Sequence, residues 1–294
     1  MSYKKKALLF LPYLAPYRID VLNELMNFYD LTVIFLSDNA PEQNFNQEIL
    51  RKKLNIDFEI FDRGFNIGVR SIRFGVFNLI NKHKPNIIFS NEYGTTSLLI
   101  GFYSKLPFFN FTHIATTSDN IEMLKNVKWF RRLFRSLVLS TARGIVVYTR
   151  EVGYWYNAKF PKLIIRICPN IQNPLSLSLS EREYSTLIKS FVENYNLTKK
   201  KNILFVGRLH TSKGLDILLE MLKAINSNDF NLILVGEGPE YNNLKELSIK
   251  MGIQDLIIFT GRYEGVKLMS WYKLADFLIL PSIFEPFGAV VNEA

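Results

Sequence analysis

The order of apolar segments predicts an α/β protein: two Rossmann-like, doubly wound domains facing a cleft, the second of them incomplete. Three observations predict it. Short apolar runs of strand length alternate with longer amphipathic stretches from end to end. The alternation is interrupted once, by Pro169-Asn170-Ile171-Gln172-Asn173-Pro174 and a Leu-Ser repeat over residues 175–180, which has the composition of a linker. The chain has 294 residues, 48% of them hydrophobic, enough for two domains of about 150 residues with a core each.

Strand-like runs fall at residues 7–11, 31–36, 87–90, 108–114 and 144–149, and after the break at 202–206, 231–235, 256–260 and 277–280. Each is short and almost uninterruptedly apolar, as a parallel strand covered on both faces must be. Helical periodicity marks residues 19–28, 69–82, 95–104, 127–141, 181–196, 215–225, 241–251 and 267–275. The domains predicted are residues 1–170, a linker and helix over 171–200, and residues 201–294. Only four strands follow residue 200 and the chain stops as a helix begins, so a truncated second domain is expected, with aggregation through an uncovered sheet as its consequence.

One cysteine, Cys168, excludes an internal disulfide framework and fits a reducing compartment. Lys4-Lys5-Lys6 before an apolar run imitates a secretory signal, but Pro12 cuts the run short and no small-residue cleavage site follows. No segment approaches the roughly 18 apolar residues of a membrane span. A cytoplasmic protein is expected, peripheral at most on the inner face of the plasma membrane.

Net charge is +9 and lies on one side: residues 1–170 hold 23 Lys and Arg against 13 Asp and Glu, residues 171–294 hold 13 against 14. The first half is therefore expected to meet an anionic partner. Nucleic acid is not predicted, because no recognition module is present and the aromatics fall in apolar runs. A second carrier of charge is the segment that begins at Lys125 and ends at Arg143. On a helical wheel Trp129, Phe130, Leu133, Phe134, Leu137 and Val138 occupy one half and Lys128, Arg131, Arg132 and Arg135 the other. Such a helix suits an anionic membrane surface, and equally a core-facing helix of the sheet.

Four loops at strand ends carry chemistry. In Gly207-Arg208-Leu209-His210-Thr211-Ser212-Lys213-Gly214 the glycines permit tight turns, while Arg208 and Lys213 suit a diphosphate. It is not a Walker loop, since the glycine spacing differs and no Gly-Lys-Ser/Thr follows. Gly236-Glu237-Gly238-Pro239 lets backbone approach a flat base. Thr260-Gly261-Arg262 ends the next strand, and Glu285-Pro286-Phe287-Gly288 with Glu293 ends the chain. All four would open on one crevice.

This order, Gly-Arg-Leu…Lys-Gly, Val-Gly-Glu-Gly-Pro, Phe-Thr-Gly, then Leu-Pro-Ser…Glu-Pro-Phe-Gly…Glu-Ala, resembles the retaining, nucleotide-sugar-dependent glycosyltransferases of the GT-B type, family 4, also called glycosyl transferases group 1. The resemblance is specific over residues 203–294. Pro16-Tyr17-Arg18 and Pro169-Asn170 are more loosely similar to that family's polysaccharide and lipopolysaccharide branch.

The resemblance implies a hexosyltransferase-class enzyme that moves a sugar from an NDP-sugar to a lipid-linked or polysaccharide acceptor. Arg208 and Lys213 would hold the donor diphosphate and stabilise the departing nucleotide. Glu285 would contact hydroxyls of the transferred sugar and Glu293 the ribose. Gly207, Gly236 and Glu237 would line the donor site, and amides at Phe287 and Gly288 would face the phosphates. No metal or other cofactor is implied, since two cations already face the diphosphate and no Asp-x-Asp occurs. On the acceptor side the family carries a histidine or acid after a first-domain strand. His113 and Asp119 are the candidates, Asp119 the better, with Arg18 beside them. Two other readings stand: a glycosidase built on the paired acids, disfavoured because hydrolysis needs no diphosphate cradle, and an inactive fragment that binds acceptor or membrane without turnover.

Overall fold

A computed structural model describes residues 4–39, 45–67, 70–169, 181–197, 200–225, 227–285 and 288–294. The chain divides into two compact units, residues 1–172 and 173–294.

The first unit runs β1 (Lys5–Leu11), α1 (Ile19–Leu25), β2 (Tyr29–Phe35), α2 (Gln47–Lys52), β3 (Asp57–Ile60), β4 (Gly64–Ile67), β5 (Arg70–Arg73), α3 (Val76–His83), β6 (Ile87–Asn91), α4 (Thr95–Tyr103), β7 (Thr112–Thr116), α5 (Ile121–Lys125), α6 (Trp129–Thr141), β8 (Gly144–Val147), α7 (Arg150–Lys159) and β9 (Ile164–Ile167). Seven strands form one parallel sheet in the order β3-β2-β1-β6-β7-β8-β9. Side chains alternate along β1: Ala7, Leu9 and Leu11 enter one core with Leu31, Val33 and Phe35, while Leu8 and Phe10 enter another with Ile34, Ile80 and Ile88. Both faces are covered, which is why β1 reads as an unbroken apolar run.

The sequence predicts five strands here and the sheet has seven. β3 and β9 are its edges, only four residues long, and charges break their apolar pattern, Asp57 and Glu59 in one and Arg166 in the other. The helix predicted over 69–82 is a second correction. Residues 70–73 pair antiparallel with β4, and the helix begins at Val76 after Gly75 turns the chain at φ 98°. The strand predicted over 108–114 starts at Thr112, because Phe109 and Phe111 join an aromatic cluster with Tyr103 and Phe77. Helices α5 and α7 begin at side-chain caps: Asn120 accepts from the Met123 amide and Thr149 from that of Val152.

The second unit runs α8 (Glu181–Asn194), β10 (Lys201–Val206), α9 (Leu215–Ile225), β11 (Phe230–Val235), α10 (Tyr241–Met251), β12 (Ile257–Gly261), α11 (Gly265–Leu274), β13 (Phe277–Leu278) and α12 (Ala289–Glu293). Its parallel sheet has the order β12-β11-β10-β13. Helix α8 is part of this unit: Phe191 stacks on Trp271 of α11 with ring centroids 4.3 Å apart and planes 6° from parallel. Truncating either ring to alanine would cost about 3–5 kcal/mol. The expected linker over residues 170–180 lies outside the described residues.

Candidate active site

In the second unit the loops after β10 and β11 are stitched backbone to backbone. Leu209 N–H donates to Glu237 O at 2.9 Å, and Glu240 N–H donates to Leu209 O at 3.1 Å. A Cβ on Gly236, at φ 155°, would stand 1.8 Å from the carbonyl oxygen of Gly207. Here glycine is required by the neighbouring loop. Arg208 is half-buried between these turns and Glu237 is exposed.

Lys213 ends a 3₁₀ turn, Thr211–Lys213, capped by His210 Nδ1, which accepts from the Ser212 amide at 3.2 Å. Gly214 follows at φ 61°, where a Cβ would stand 2.4 Å from Pro281 O, and the Phe284 amide donates to Ser212 O at 3.2 Å. The turn is thus pressed against the loop after β13. Lys213 Nζ lies 2.5 Å from Glu285 Oε2, which also accepts from Ser282 Oγ at 3.2 Å. The Gly288 amide, expected to face phosphate, donates to Glu285 Oε1 at 3.1 Å. Glu293 Oε2 accepts from Tyr272 OH at 2.7 Å; burial, and then Glu293 itself, drive that phenol's pKa far up, so it stays a donor. Phe287 lies outside the described residues. All four sequence loops fall at the carboxyl side of this sheet, where ligands of such folds sit.

In the first unit Asp119 follows β7 and its side chain is wholly enclosed. It accepts from Tyr156 OH at 2.7 Å and faces Arg135 Nη2 at 3.4 Å and Arg131 Nη2 at 3.7 Å. The Arg135 guanidinium lies over the rings of Tyr93, Trp155 and Tyr156, 5.3–5.9 Å from their centroids. Asp119, expected on the acceptor side, is thus enclosed and holds its loop from within. The carboxylate that solvent reaches is one the sequence reading missed, Glu92, with 29% of its side chain exposed. Glu92 follows β6 in the left-handed conformation at φ 58° and accepts from the Ser118 amide at 2.8 Å and Ser118 Oγ at 2.7 Å. Burial, and then the charge of Asp119, raise its pKa above the ordinary value. Its signal was an acid immediately after an apolar strand, Ser90-Asn91-Glu92.

Arg18 closes a 3₁₀ turn, Pro16–Arg18, after β1; its Nε is buried without a hydrogen-bond partner, and its charge offsets part of the upward pKa shift that burial imposes on Tyr148 after β8. Arg18, Glu92 and Tyr148 thus share the carboxyl edge of the sheet. His113 does not. It is the second residue of β7, buried, with Nε2 2.8 Å from Ser90 Oγ, and burial followed by Lys105 pushes its pKa down to about 4. His113, an acceptor-side candidate in the sequence, is a core histidine near the other end of the strand.

Helix α6 corrects the wheel drawn from sequence. Arg135 points inward with Val138 and Leu139, and Trp129, Leu133 and Leu137 point outward, Trp129 with 77% of its surface exposed. A buried carboxylate drew the cation in. Among the described residues no group of three His, Cys, Asp or Glu is arranged to hold a metal, and no helix is long and apolar enough to cross a membrane.

Residues 188–294 match the family described as glycosyl transferases group 1. An uncharacterized glycosyltransferase of Haemophilus influenzae is 37% identical over 187 residues, which are 63% of this chain and 48% of that protein. The chain spans less than half the length of the curated relatives it matches. Among solved structures, Anabaena HepE in complex with UDP aligns with a TM-score of 0.75 at 16% identity, covering 98% of this chain and 78% of that one. WaaG, a glycosyltransferase involved in lipopolysaccharide biosynthesis, aligns with a TM-score of 0.63 at 13% identity over 98% of this chain and 78% of that one. The class is thus an α/β protein of the GT-B fold. Within that fold, residues 188–294 are the part similar to the glycosyl transferases group 1 family.

Proposed function

We propose that this protein is a retaining glycosyltransferase of family 4 that moves a sugar from an NDP-sugar to a lipid-linked or polysaccharide acceptor in cell-surface glycan synthesis. The observation that carries the reading is the Lys213–Glu285 pair, which holds a cation made for diphosphate beside a carboxylate made for sugar hydroxyls. In that role Lys213 and Arg208 stabilise charge on the departing diphosphate without a metal ion, an interaction that strengthens as the bond breaks. Gly207, Gly236 and Glu237 line the nucleotide side, with Gly288 and Phe287 completing it. Glu285 orients the sugar and Glu293 takes the ribose hydroxyls. In the first unit Glu92 and Arg18 meet the acceptor, and Asp119 positions the loop between them. The outward stripe of α6, with Lys125, Lys128 and Arg132 beside Trp129 and Leu133, lies on an anionic membrane face.

The Haemophilus relative, the UDP complex of HepE and the lipopolysaccharide role of WaaG support this reading. Thermal melting with a panel of UDP-, GDP- and ADP-sugars tests it. One nucleotide class is expected to raise the melting temperature, and that protection to vanish in Lys213→Met. No protection by any of them would contradict it.

A further inference from the structure

A cleft of about 430 Å³ opens at the amino ends of β7, β8 and β9, far along the sheet from Glu92 and Asp119. Its walls carry three exposed cations: Lys105 after α4, Arg143 before β8 and Lys162 before β9. None of the three has a carboxylate partner among the described residues. Thr112, Thr141 and the edge of His113 form its polar floor, and Thr141 Oγ1 sits 3.5 Å from His113 Nδ1. Three cations lining one small cavity can each donate charge-assisted hydrogen bonds to the same anion, so the cleft suits a compact group with several negative oxygens.

The surroundings say what carries that group. Phe102 and Phe108, on either side of Lys105 in sequence, are 59% and 78% exposed. Leu137, one helical turn before Thr141, and Ile164 are exposed as well, and the α6 stripe continues through Leu133 to Trp129. A free phosphate has no use for an apolar rim. A phosphate on a lipid does, because aromatic side chains enter the interface while cations meet the headgroups.

We propose that the cleft between Lys105, Arg143 and Lys162 binds the phosphate of an anionic lipid headgroup, with Phe102 and Phe108 set into the bilayer surface. The proposal extends the membrane face read at α6 and does not depend on sugar transfer: equal losses in both lysine pairs would refute the cleft alone, and equal binding to both kinds of vesicle would refute that face as well.

The test is co-sedimentation of the full chain with phosphatidylglycerol-containing vesicles and with phosphatidylcholine vesicles, beside thermal melting in inorganic phosphate. Wild type is expected to bind the anionic vesicles selectively. Lys105→Gln with Lys162→Gln should weaken that binding roughly thirtyfold, at about fivefold for each surface cation. Lys53→Gln with Lys84→Gln, which removes the same charge elsewhere on the unit, should stay within about twofold of wild type. Phe102→Ser with Phe108→Ser should lose vesicle binding yet keep the phosphate-induced rise in melting temperature. Equal losses in both lysine pairs, equal binding to both kinds of vesicle, or phosphate protection without vesicle binding would each overturn it. All substituted side chains are exposed, and melting curves matching wild type in plain buffer confirm that each variant folds.

Discussion

Lys213 Nζ lies 2.5 Å from Glu285 Oε2, so one ion pair joins the turn after β10 to the loop after β13 across 72 residues of sequence. Both partners are half-buried and still reachable by solvent. A pair so placed contributes modestly to folding and strongly to the chemistry of whatever anion displaces or shares its cation. Lys213→Met is therefore expected to lower transfer by about 10²–10³-fold while changing unfolding free energy by no more than about 1 kcal/mol. Steady-state kinetics beside urea unfolding checks both halves.

The opposite balance holds at Asp119. With Arg135 over three aromatic rings and Asp119 fully enclosed, Arg135→Met leaves a buried carboxylate with Tyr156 and the more exposed Arg131. A loss of about 3–5 kcal/mol is expected, and Asp119→Asn added to it should recover part of the loss. A double-mutant cycle by urea unfolding reads the coupling.

Burial and Lys105 depress the His113 pKa to about 4, below its ordinary 6.5. The fold therefore favours the neutral ring, and this contribution is complete above pH 6.5 and lost as pH falls toward 4. Wild type should lose on the order of 3 kcal/mol over that window relative to His113→Gln. Unfolding curves of the two proteins across the acid range test the sign and the size.

Gly236→Ala and Gly252→Ala separate clash from backbone strain. A Cβ at Gly236 meets Gly207 O at 1.8 Å, whereas Gly252, at φ 69°, has nothing within 4 Å. The first should cost more than about 2 kcal/mol and abolish nucleotide binding; the second should cost about 1 kcal/mol and spare it. Denaturation midpoints and nucleotide titration distinguish them.

What the sequence made legible follows from burial. Central strands such as β1 and β11 are covered on both faces, so their apolar runs announce them, and the glycine turns after β10 and β11 mark loops that only glycine can pack. Edge strands β3 and β9 carry charge and stayed hidden. The four loops of the second unit were legible because they lie in order after consecutive strands. The cluster around Asp119 was not, because Glu92, Arg131 with Arg135, and Tyr156 meet Asp119 from three separate elements, and Arg135 turns inward only because a carboxylate waits there.

The central claim is sugar transfer with retention from a donor held by Lys213 and Glu285. Proton NMR of the product formed from an α-linked NDP-sugar tests it most directly: an α-configured glycoside made by wild type and reduced at least about a hundredfold in Lys213→Met is the predicted result. A β-configured product, or transfer indifferent to Lys213, would contradict it.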